Sequence, residues 1–302
     1  IMKTVWILDD ATTDNLFEAN RTDLLRNELR MIGMATRVVP SSESIAGRVM
    51  DGDIVIATFF DERMLELQAL IKKEAIAKAK SFAESKNKEF DEASVEVPIV
   101  HTALLVYWDS SKPKTKLIGE LLHAVDITIV RSAFEKKELL ARYPDFADED
   151  VFVIGGLEDS TITRDHCKRA SWEARADRVI YVGKYSALFD SIQRQYEAAY
   201  PEEKVGWIDS KGRFQNREEM LEAISLSKVI ISDVSTSWPG LLIEASFQGV
   251  FILTPKGNIF DELRIGIEAN EIVTTLHSML TSDTGPKIAW PTSTLKSALD
   301  SL

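Results

Sequence analysis

The stretch from Lys228 to Gly257, KVIISDVSTSWPGLLIEASFQGVFILTPKG, constrains the fold of this chain more than any other segment. It begins with an apolar run, Val229 to Ile231, that is typical of a buried parallel strand. A hydroxyl-rich loop follows, and a Pro-Gly pair then opens a predicted helix over Leu241 to Gln248. A second β-rich run, Val250 to Leu253, completes a strand–helix–strand module.

The loop of this module is a candidate ligand site, because open parallel sheets bind ligands at the carboxyl ends of their strands. The backbone amides of Gly240, Leu241 and Leu242 would meet an anion with the helix dipole behind them. Glu244, one turn further on, could accept hydrogen bonds from a sugar diol. Every Rossmann-like unit has such a helix start, so the local pattern alone leaves a purely structural role open.

The rest of the chain alternates apolar strands with amphipathic helices. Predicted strands of the first half are 3–8, 35–39, 53–58, 97–108, 126–130 and 151–154, and predicted helices are 16–31, 62–86, 117–123 and 133–143. In the second half, strands at 179–182 and 204–208 and helices at 189–200 and after Asn216 precede the module. The alternation predicts an α/β chain with parallel, doubly wound sheets.

A glycine pair, Gly155 and Gly156, suits a crossover between two domains, since glycine gives the backbone conformational freedom. We therefore expect an N-terminal unit over 1–156 and a C-terminal unit over 157–280. The tail, 281–302, carries a last predicted helix that could return to pack on the first unit.

Charge and motif content exclude several classes. The net charge of −12 disfavours broad attraction to nucleic acid or anionic membranes. Cys167 is the single cysteine, and the four histidines show no ligand spacing, so we expect no metal site and no cofactor. Dinucleotide, Walker and nucleophile-elbow glycine motifs are missing from the sequence.

No apolar stretch reaches the roughly 20 residues that a membrane-spanning helix needs. No signal peptide is recognisable before the first predicted strand. We therefore expect a cytoplasmic protein. One basic run, IKKEAIAKAKSFAESKNKEF in the second predicted helix, favours a solvated helical face, with a loop that meets an acceptor as the alternative.

Two consecutive Rossmann-like halves with a glycine crossover resemble the GT-B architecture of nucleotide-sugar glycosyltransferases. The resemblance implies two Rossmann-like domains that face each other across a cleft. Its specific signals lie in the second half, in the module above and in the segments VIYVGKYS and GRFQNREEMLEAI.

The resemblance implies a donor site for a nucleotide diphosphate sugar, such as a UDP-sugar. Glu244 matches the glutamate that holds the ribose, and Lys184 matches a phosphate counter-charge. The implied donor-binding residues are Lys184, Arg213, Phe214, Gln215, Ser237, Gly240, Leu241, Leu242 and Glu244. Within this set, the residues 213–215 would lie near the nucleobase, and the amides of 240–242 would meet the diphosphate.

The second half departs from the family pattern in two places. Thr236 stands where many retaining members have a second glutamate. The usual basic residue after the VG turn is missing, although Arg194 could replace it. An inverting enzyme or a degenerate one therefore stays open.

In the first half, LLVYWDSSKP resembles a feature of the bacteriophage DNA β-glucosyltransferases, in which an aspartate after a strand is the catalytic base. Asp109 matches by position, and a turn or helix-cap role is the alternative. An inverting transfer needs one carboxylate to take the acceptor proton. Asp9 and Asp10, at the end of the first predicted strand, are second choices.

The sequence thus predicts a metal-independent glycosyltransferase with a nucleotide-sugar donor, an acceptor hydroxyl and Asp109 as base. A DNA-base transferase for hydroxymethylpyrimidines is the alternative within this class, with DNA as partner. A nucleotide-sugar epimerase and a non-catalytic nucleotide-sugar-binding module are the alternatives from other classes.

Overall fold

The protein contains two parallel β-sheets that follow one another along the chain. The computed structural model describes residues 3–9, 21–40, 42–106, 114–154, 170–183, 185–232, 241–242, 245, 248–255, 266–267, 271–287 and 294–302. Within these residues the two sheets share no strand. The fold is therefore α/β with two doubly wound parallel sheets in sequence, as in the GT-B architecture, and the predicted fold class is confirmed.

The first sheet has six strands in the order β2-β1-β3-β4-β5-β6. We call these strands and their helices the first unit. Its strands are β1 (Thr4–Leu8), β2 (Ala35–Val39), β3 (Ile54–Ala57), β4 (His101–Leu105), β5 (Ile127–Val130) and β6 (Val151–Val153). Its helices are α1 (Arg21–Met31), α2 (Arg63–Ser85), α3 (Lys116–Ala124) and α4 (Ala133–Arg142).

The second sheet has five strands in the order β11-β10-β9-β7-β8. With its helices it forms the second unit. Its strands are β7 (Ala176–Val182), β8 (Gly206–Asp209), β9 (Ser227–Ser232), β10 (Phe251–Pro255) and the short β11 (Gly266–Ile267). Its helices are α5 (Ser186–Ala199), α6 (Arg217–Ser225) and α7 (Ile272–Leu280), and Leu241, Leu242 and Ala245 are also helical.

Strand β11 differs from the prediction, because the sequence from Ile259 to Ile267 favours helical or mixed structure. Residues 266–267 instead pair in parallel with β10, with Thr254 opposite Gly266. So short a strand leaves no periodic signal in the sequence, and its pairing depends on the neighbouring strand.

Both units bury apolar side chains on both faces of the sheet, as parallel sheets require. In the first unit α1 covers one face, whereas α2, α3 and α4 cover the other. In the second unit Val179 and Tyr181 point toward α5 and α7, while Ile180 and Val182 point toward α6 and the helical residues Leu241, Leu242 and Ala245. This alternation follows from the two-residue period of a strand.

Two contacts reach beyond the separate sheets. The C-terminal helix α8 (Leu295–Leu299) inserts Leu295, Ala298 and Leu299 into the core of the first unit, on the α1 face. Phe134 of α4, in the first unit, packs against the core cluster of the second unit. The domain limits at 156 and 280 stay a prediction. Among the described residues, none of the helices is long and apolar enough to cross a bilayer.

Candidate functional site

The carboxyl ends of β7 and β9 lie side by side in the second sheet. Val182, the last residue of β7, is in register with Ser232, the last residue of β9. Strand β8 lies on the other side of β7, so the chain leaves β7 in one direction and returns past it to form β9. This is a topological switch point, where open α/β sheets form a ligand-binding crevice.

The helices confirm this geometry, because they leave the switch point toward opposite faces of the sheet. α5, which follows β7, packs on one face through Phe189, Ile192 and Tyr196. Leu241 and Leu242, which follow β9, are fully buried on the other face. Their buried side chains hold this helical segment against the sheet, while the proposed role of their amides stays a prediction.

The turn between β7 and α5 is fixed by two hydrogen bonds. The backbone N–H of Tyr185 donates to the hydroxyl of Tyr181 at 3.0 Å. Ser186 Oγ donates to Oδ2 of Asp209 at 2.6 Å, and Asp209 Oδ1 accepts from the backbone N–H of Lys211 at 2.9 Å. Asp209 ends β8, so its carboxylate ties the β7–α5 turn to the β8–α6 loop.

The β8–α6 loop carries three of the predicted donor residues. Arg213 and Gln215 are exposed. Phe214 is half-buried and packs against the core cluster beneath the loop, together with Ile208. The loop brings these residues to the same edge as the β7–α5 turn, because β7 and β8 pair in parallel.

The predicted helix cap at Asn216 is confirmed. Its side chain accepts from the backbone N–H of Glu219 at 2.9 Å, and the Glu219 carboxylate accepts from the backbone N–H of Gln215 at 2.9 Å. The two bonds satisfy amides that α6 itself leaves unpaired, as a capping arrangement does. They therefore fix the C-terminal side of the 213–215 loop.

Several predicted site residues lie outside the described residues. These are Asp10, Asp109, Lys184, Ser237, Gly240 and Glu244. Their positions in the chain still locate them relative to described strands: Lys184 comes two residues after Val182, and the segment 233–240 begins directly after Ser232. The two strands that precede them in sequence, β7 and β9, end side by side.

At the first unit's carboxyl edge, Asp9 is engaged in structural bonds. Its backbone N–H donates to the carbonyl of Val39 at 2.9 Å, and its Oδ1 accepts from Thr22 Oγ1 at 3.0 Å. Asp9 thus joins β1, β2 and α1 at the switch point between β1 and β3. These bonds favour a structural role for Asp9 over its second-choice role as base.

The same edge holds a buried ion pair between Arg131 and Glu135, which are 4% and 0% exposed. Arg131 Nε donates to Glu135 Oε1 at 2.9 Å, and the backbone N–H of Arg131 donates to Oε2 at 2.9 Å. Ser132, between them, caps α4 by accepting from the Glu135 amide. Sequence reasoning missed this pair, although the Ser-x-x-Glu spacing is a capping-box signal.

The lysines of α2 are exposed, which agrees with a solvated helical face. Helix α2 connects two parallel strands, so it runs back toward the amino edge of the sheet, and Lys78 there donates to the carbonyl of Gly47. A cavity of about 520 Å³ lies beside this half of α2, lined by Ala75, Ala79 and Ala83 among others. The lysines and the cavity are therefore remote from the carboxyl edge.

Basic residues also lie at the carboxyl edge of the first unit. Lys114 and Lys116 are exposed at the start of α3, which follows β4. Among the described residues, no group of three or more His, Cys, Asp or Glu side chains is placed to hold a metal ion. Metal independence stays a prediction.

The sheets define a chain of two parallel α/β units, with a topological switch point between β7 and β9 in the second. No protein-family model matches the chain, and no curated protein matches it in sequence.

Solved structures with a similar fold include enzymes of nucleotide sugars. An α-glucosyltransferase in complex with UDP-glucose and DNA containing an abasic site has a TM-score of 0.49 and 11% identity, over 99% of this chain and 92% of that one. UDP-GlcNAc 2-epimerase from Methanocaldococcus jannaschii has a TM-score of 0.47 and 11% sequence identity, over 99% of this chain and 98% of that one. An α1,3-fucosyltransferase has a TM-score of 0.46 and 9% sequence identity, over 99% of this chain and 89% of that one. At such values, the fold assignment rests on the two sheets themselves.

Proposed function

We propose that this chain is a glycosyltransferase that moves a sugar from a nucleotide diphosphate sugar to an acceptor hydroxyl. The observation that carries the proposal is the pairing of Val182 with Ser232. It places side by side the ends of the two strands that, in sequence, precede the predicted phosphate lysine, Lys184, and the hydroxyl-rich segment 233–240. A switch-point crevice is where a doubly wound sheet binds a nucleotide.

The donor would lie along this crevice. Lys184 and the amides of Gly240, Leu241 and Leu242 would hold the diphosphate, with Ser237 donating a hydroxyl. Glu244 would accept hydrogen bonds from the ribose diol. The exposed side chains of Arg213 and Gln215 support a nucleobase position beside the β8–α6 loop.

The transfer step would be inverting. The acceptor oxygen attacks the anomeric carbon and loses its proton to Asp109, while the bond from that carbon to the diphosphate oxygen breaks. The diphosphate leaves with the bond's electron pair, and the positive groups beside it stabilise its charge. This role requires the carboxyl edges of the two units to face each other across a cleft, and Phe134 supports that arrangement by joining the units near the same edge of β5.

Counter-charges and amides supplied by the chain would take the place of a divalent ion at the diphosphate. The donor would be a substrate, with no resident cofactor.

A hydroxymethylated DNA base is the acceptor that one specific observation favours. Lys114 and Lys116 are exposed at the carboxyl edge from which the chain enters the segment with Asp109. Lysines there could bind backbone phosphates next to the proposed base. The lysines of α2, which lie at the opposite edge of the sheet, would not contribute to DNA binding.

The experiment is a thermal-shift panel of nucleoside diphosphates, followed by an assay of UDP release from UDP-glucose in EDTA. We expect stabilisation by at least one nucleoside diphosphate, and donor turnover that continues in EDTA. An oligonucleotide with 5-hydroxymethylcytosine should accelerate UDP release more than an oligonucleotide with cytosine does. Binding of no nucleotide would overturn the function, and activity restored only by magnesium or manganese would overturn metal independence.

A further inference from the structure

Helix α2 is much longer than the strands of the sheet on which it packs. It has 23 residues, whereas β3, the strand that leads into it, has 4. At the usual rise per residue these lengths are about 34 Å and about 13 Å. The second half of α2 therefore reaches beyond the strands at the amino edge of the first sheet. We call residues 72–98, which are this half of α2 and the segment that returns to β4, the α2 extension.

The core-facing stripe of α2 continues into the extension and ends on an exposed ring. Met64, Leu67 and Ile71 are buried, and helical spacing places Phe82 on the same stripe, about three turns beyond Ile71. Phe82 is nevertheless 62% exposed. Lys86, one turn further on, lies over the ring, with its Nζ 5.9 Å from the ring centroid. A ring in this position forgoes the stabilisation that burial gives.

A cavity lies beside this ring. It has a volume of about 520 Å³, and its wall on α2 consists of alanines at every fourth position: Ala75, Ala79 and Ala83. The rest of its apolar lining is formed by Ala46, Val49, Ile71, Phe90, Val95 and Pro98. The small alanine side chains keep open a space that is large enough for a side chain from another molecule.

The α2 extension is divided in charge. Residues 72–88 carry six lysines and two glutamates, whereas residues 89–96 carry four carboxylates and no basic residue. All of these charged side chains are exposed. Three of the four carboxylates, Glu89, Asp91 and Glu96, line the cavity, together with one lysine, Lys78. The mouth of the cavity is therefore acidic, while the exposed ring beside it is accompanied by a lysine.

The same patch thus carries an aromatic ring with a cation and an apolar cavity with carboxylates at its mouth. A patch that holds both halves of a contact is self-complementary, as an interface between two copies related by a two-fold axis must be. In such an interface, Phe82 of each copy would fill the cavity of the other. Lys86 of each copy would then meet the carboxylates at the mouth of that cavity.

We propose that the α2 extension is a homodimer interface in which Phe82 and Lys86 of each copy bind the acidic cavity of the other. The proposal is independent of the proposed function, because a dimer formed at the amino edge leaves the carboxyl edges of both copies open. Two buried rings contribute about 300–500 Å². The interface therefore belongs to the small class, below about 1,200 Å², and its dissociation constant is expected to be about micromolar.

The test measures the oligomeric state of the whole chain by sedimentation velocity, from about 1 to 100 μM protein. Wild type should pass from monomer to dimer over this range. Phe82→Ala should raise the dissociation constant by about 30-fold or more, as expected for a central aromatic anchor. The control is Leu226→Ala, an exposed apolar residue at the end of α6, which should dimerise as wild type does.

The cavity is tested separately by Ala79→Trp, which fills it while Phe82 stays in place. This variant should also raise the dissociation constant of the dimer. Ala79 is half-buried and Phe82 is exposed in the single copy, so both variants should keep the thermal melt of dilute wild type. The melt shows that a loss of dimer does not come from a loss of fold.

The charges are tested by reversal and exchange. Lys86→Glu should raise the dissociation constant by about tenfold, because a two-fold interface contains the contact twice. Adding Glu89→Lys to that variant should restore dimerisation. Lys73→Glu, on the other side of α2, is the control and should have little effect. Raising the salt from about 50 to 500 mM should weaken the wild-type dimer, since exposed charges are screened.

Three results would overturn the proposal. The first is a wild-type protein that stays monomeric at about 100 μM. The second is a dimer that Phe82→Ala and Ala79→Trp leave intact, which would place the interface on another surface. The third is a Lys86→Glu variant that Glu89→Lys does not rescue, which would refute the pairing of charges between copies.

Discussion

The two units share a sheet plan but treat their carboxyl edges differently. In the first unit, Asp9 and the buried pair Arg131–Glu135 are held by internal bonds at the edge, and the exposed groups beside them are Lys114 and Lys116. In the second unit, Tyr185 and Arg213 are exposed at the edge, above a turn that is itself tightly bonded. An edge rich in internal bonds is a rigid support, whereas exposed groups on a fixed backbone are suited to ligand recognition.

The buried side chains of the two units also differ. The first unit buries an ionised pair, while one face of the second unit is an aromatic cluster of Tyr181, Phe189, Tyr196 and Trp207. Under the proposed function, the first unit would hold the acceptor side and the second unit would bind the donor. Four substitutions separate these contributions.

The largest expected effect is on catalysis, at the first unit. Asp109→Asn should lower donor turnover by about 10²–10⁴-fold, the usual worth of general-base assistance. Nucleotide affinity should stay as in wild type, because the donor is assigned to the second unit. Steady-state assays of UDP release and calorimetry with UDP measure the two quantities. Full turnover in the variant would show that another carboxylate is the base.

The next effect is on stability. Glu135→Ala leaves the Arg131 guanidinium buried without its carboxylate, so unfolding free energy should fall by about 3–5 kcal/mol. Glu120→Ala is the matched control, since the Lys116–Glu120 pair has the same spacing on the neighbouring helix but is exposed. That control should change stability by about 1 kcal/mol or less. Equal denaturation midpoints for the two variants would show that the buried pair does not support the edge.

A smaller effect is expected on donor affinity, at the second unit. Glu244→Gln should weaken UDP-glucose binding by about 1.5–3 kcal/mol, as for a hydrogen bond to a charged group. Glu222→Gln, on the exposed side of α6, should not alter it. Calorimetry and a thermal melt separate affinity from stability. Unchanged affinity would remove Glu244 from the ribose site.

The smallest effect is a pH dependence in the aromatic cluster. Burial, with nearby Glu203, Tyr200 and Asp177, raises the pKa of Tyr196 from 10.0 to about 12. The folded state thus holds this proton more tightly than the unfolded chain does. The resulting stability is complete below pH 10 and is lost as the pH rises from 10 to 12, by on the order of 2 kcal/mol.

Tyr196→Phe tests this dependence, because it removes the titrating hydroxyl and its contact with His277 Nδ1 at 3.2 Å. Denaturant titrations at pH 9, 10 and 11 should show a shallower alkaline loss of stability in the variant. An identical slope in both proteins would show that other groups control the alkaline transition.

The sequence by itself determined the parallel character of both sheets and the order of their elements, apart from the two-residue strand β11. These follow from local signals: apolar runs of strand length, helical spacing of leucines, and caps such as Asn216, whose bond to Glu219 needs only neighbouring residues. The predicted donor module is likewise a local pattern. Within VIYVGKYS, the resemblance to the family points to Lys184 alone as a site residue.

Tertiary structure alone decided which strand ends are neighbours and which side chains are exposed. Strand β9 pairs with β7 although β8 lies between them in sequence, and that pairing creates the topological switch point. Phe214 and Tyr185 are both aromatic residues in loops, and only packing against distant residues buries one and exposes the other. The burial of Arg131 and Glu135 is decided in the same way, because solvent exposure depends on every element that surrounds a residue and no local spacing encodes it.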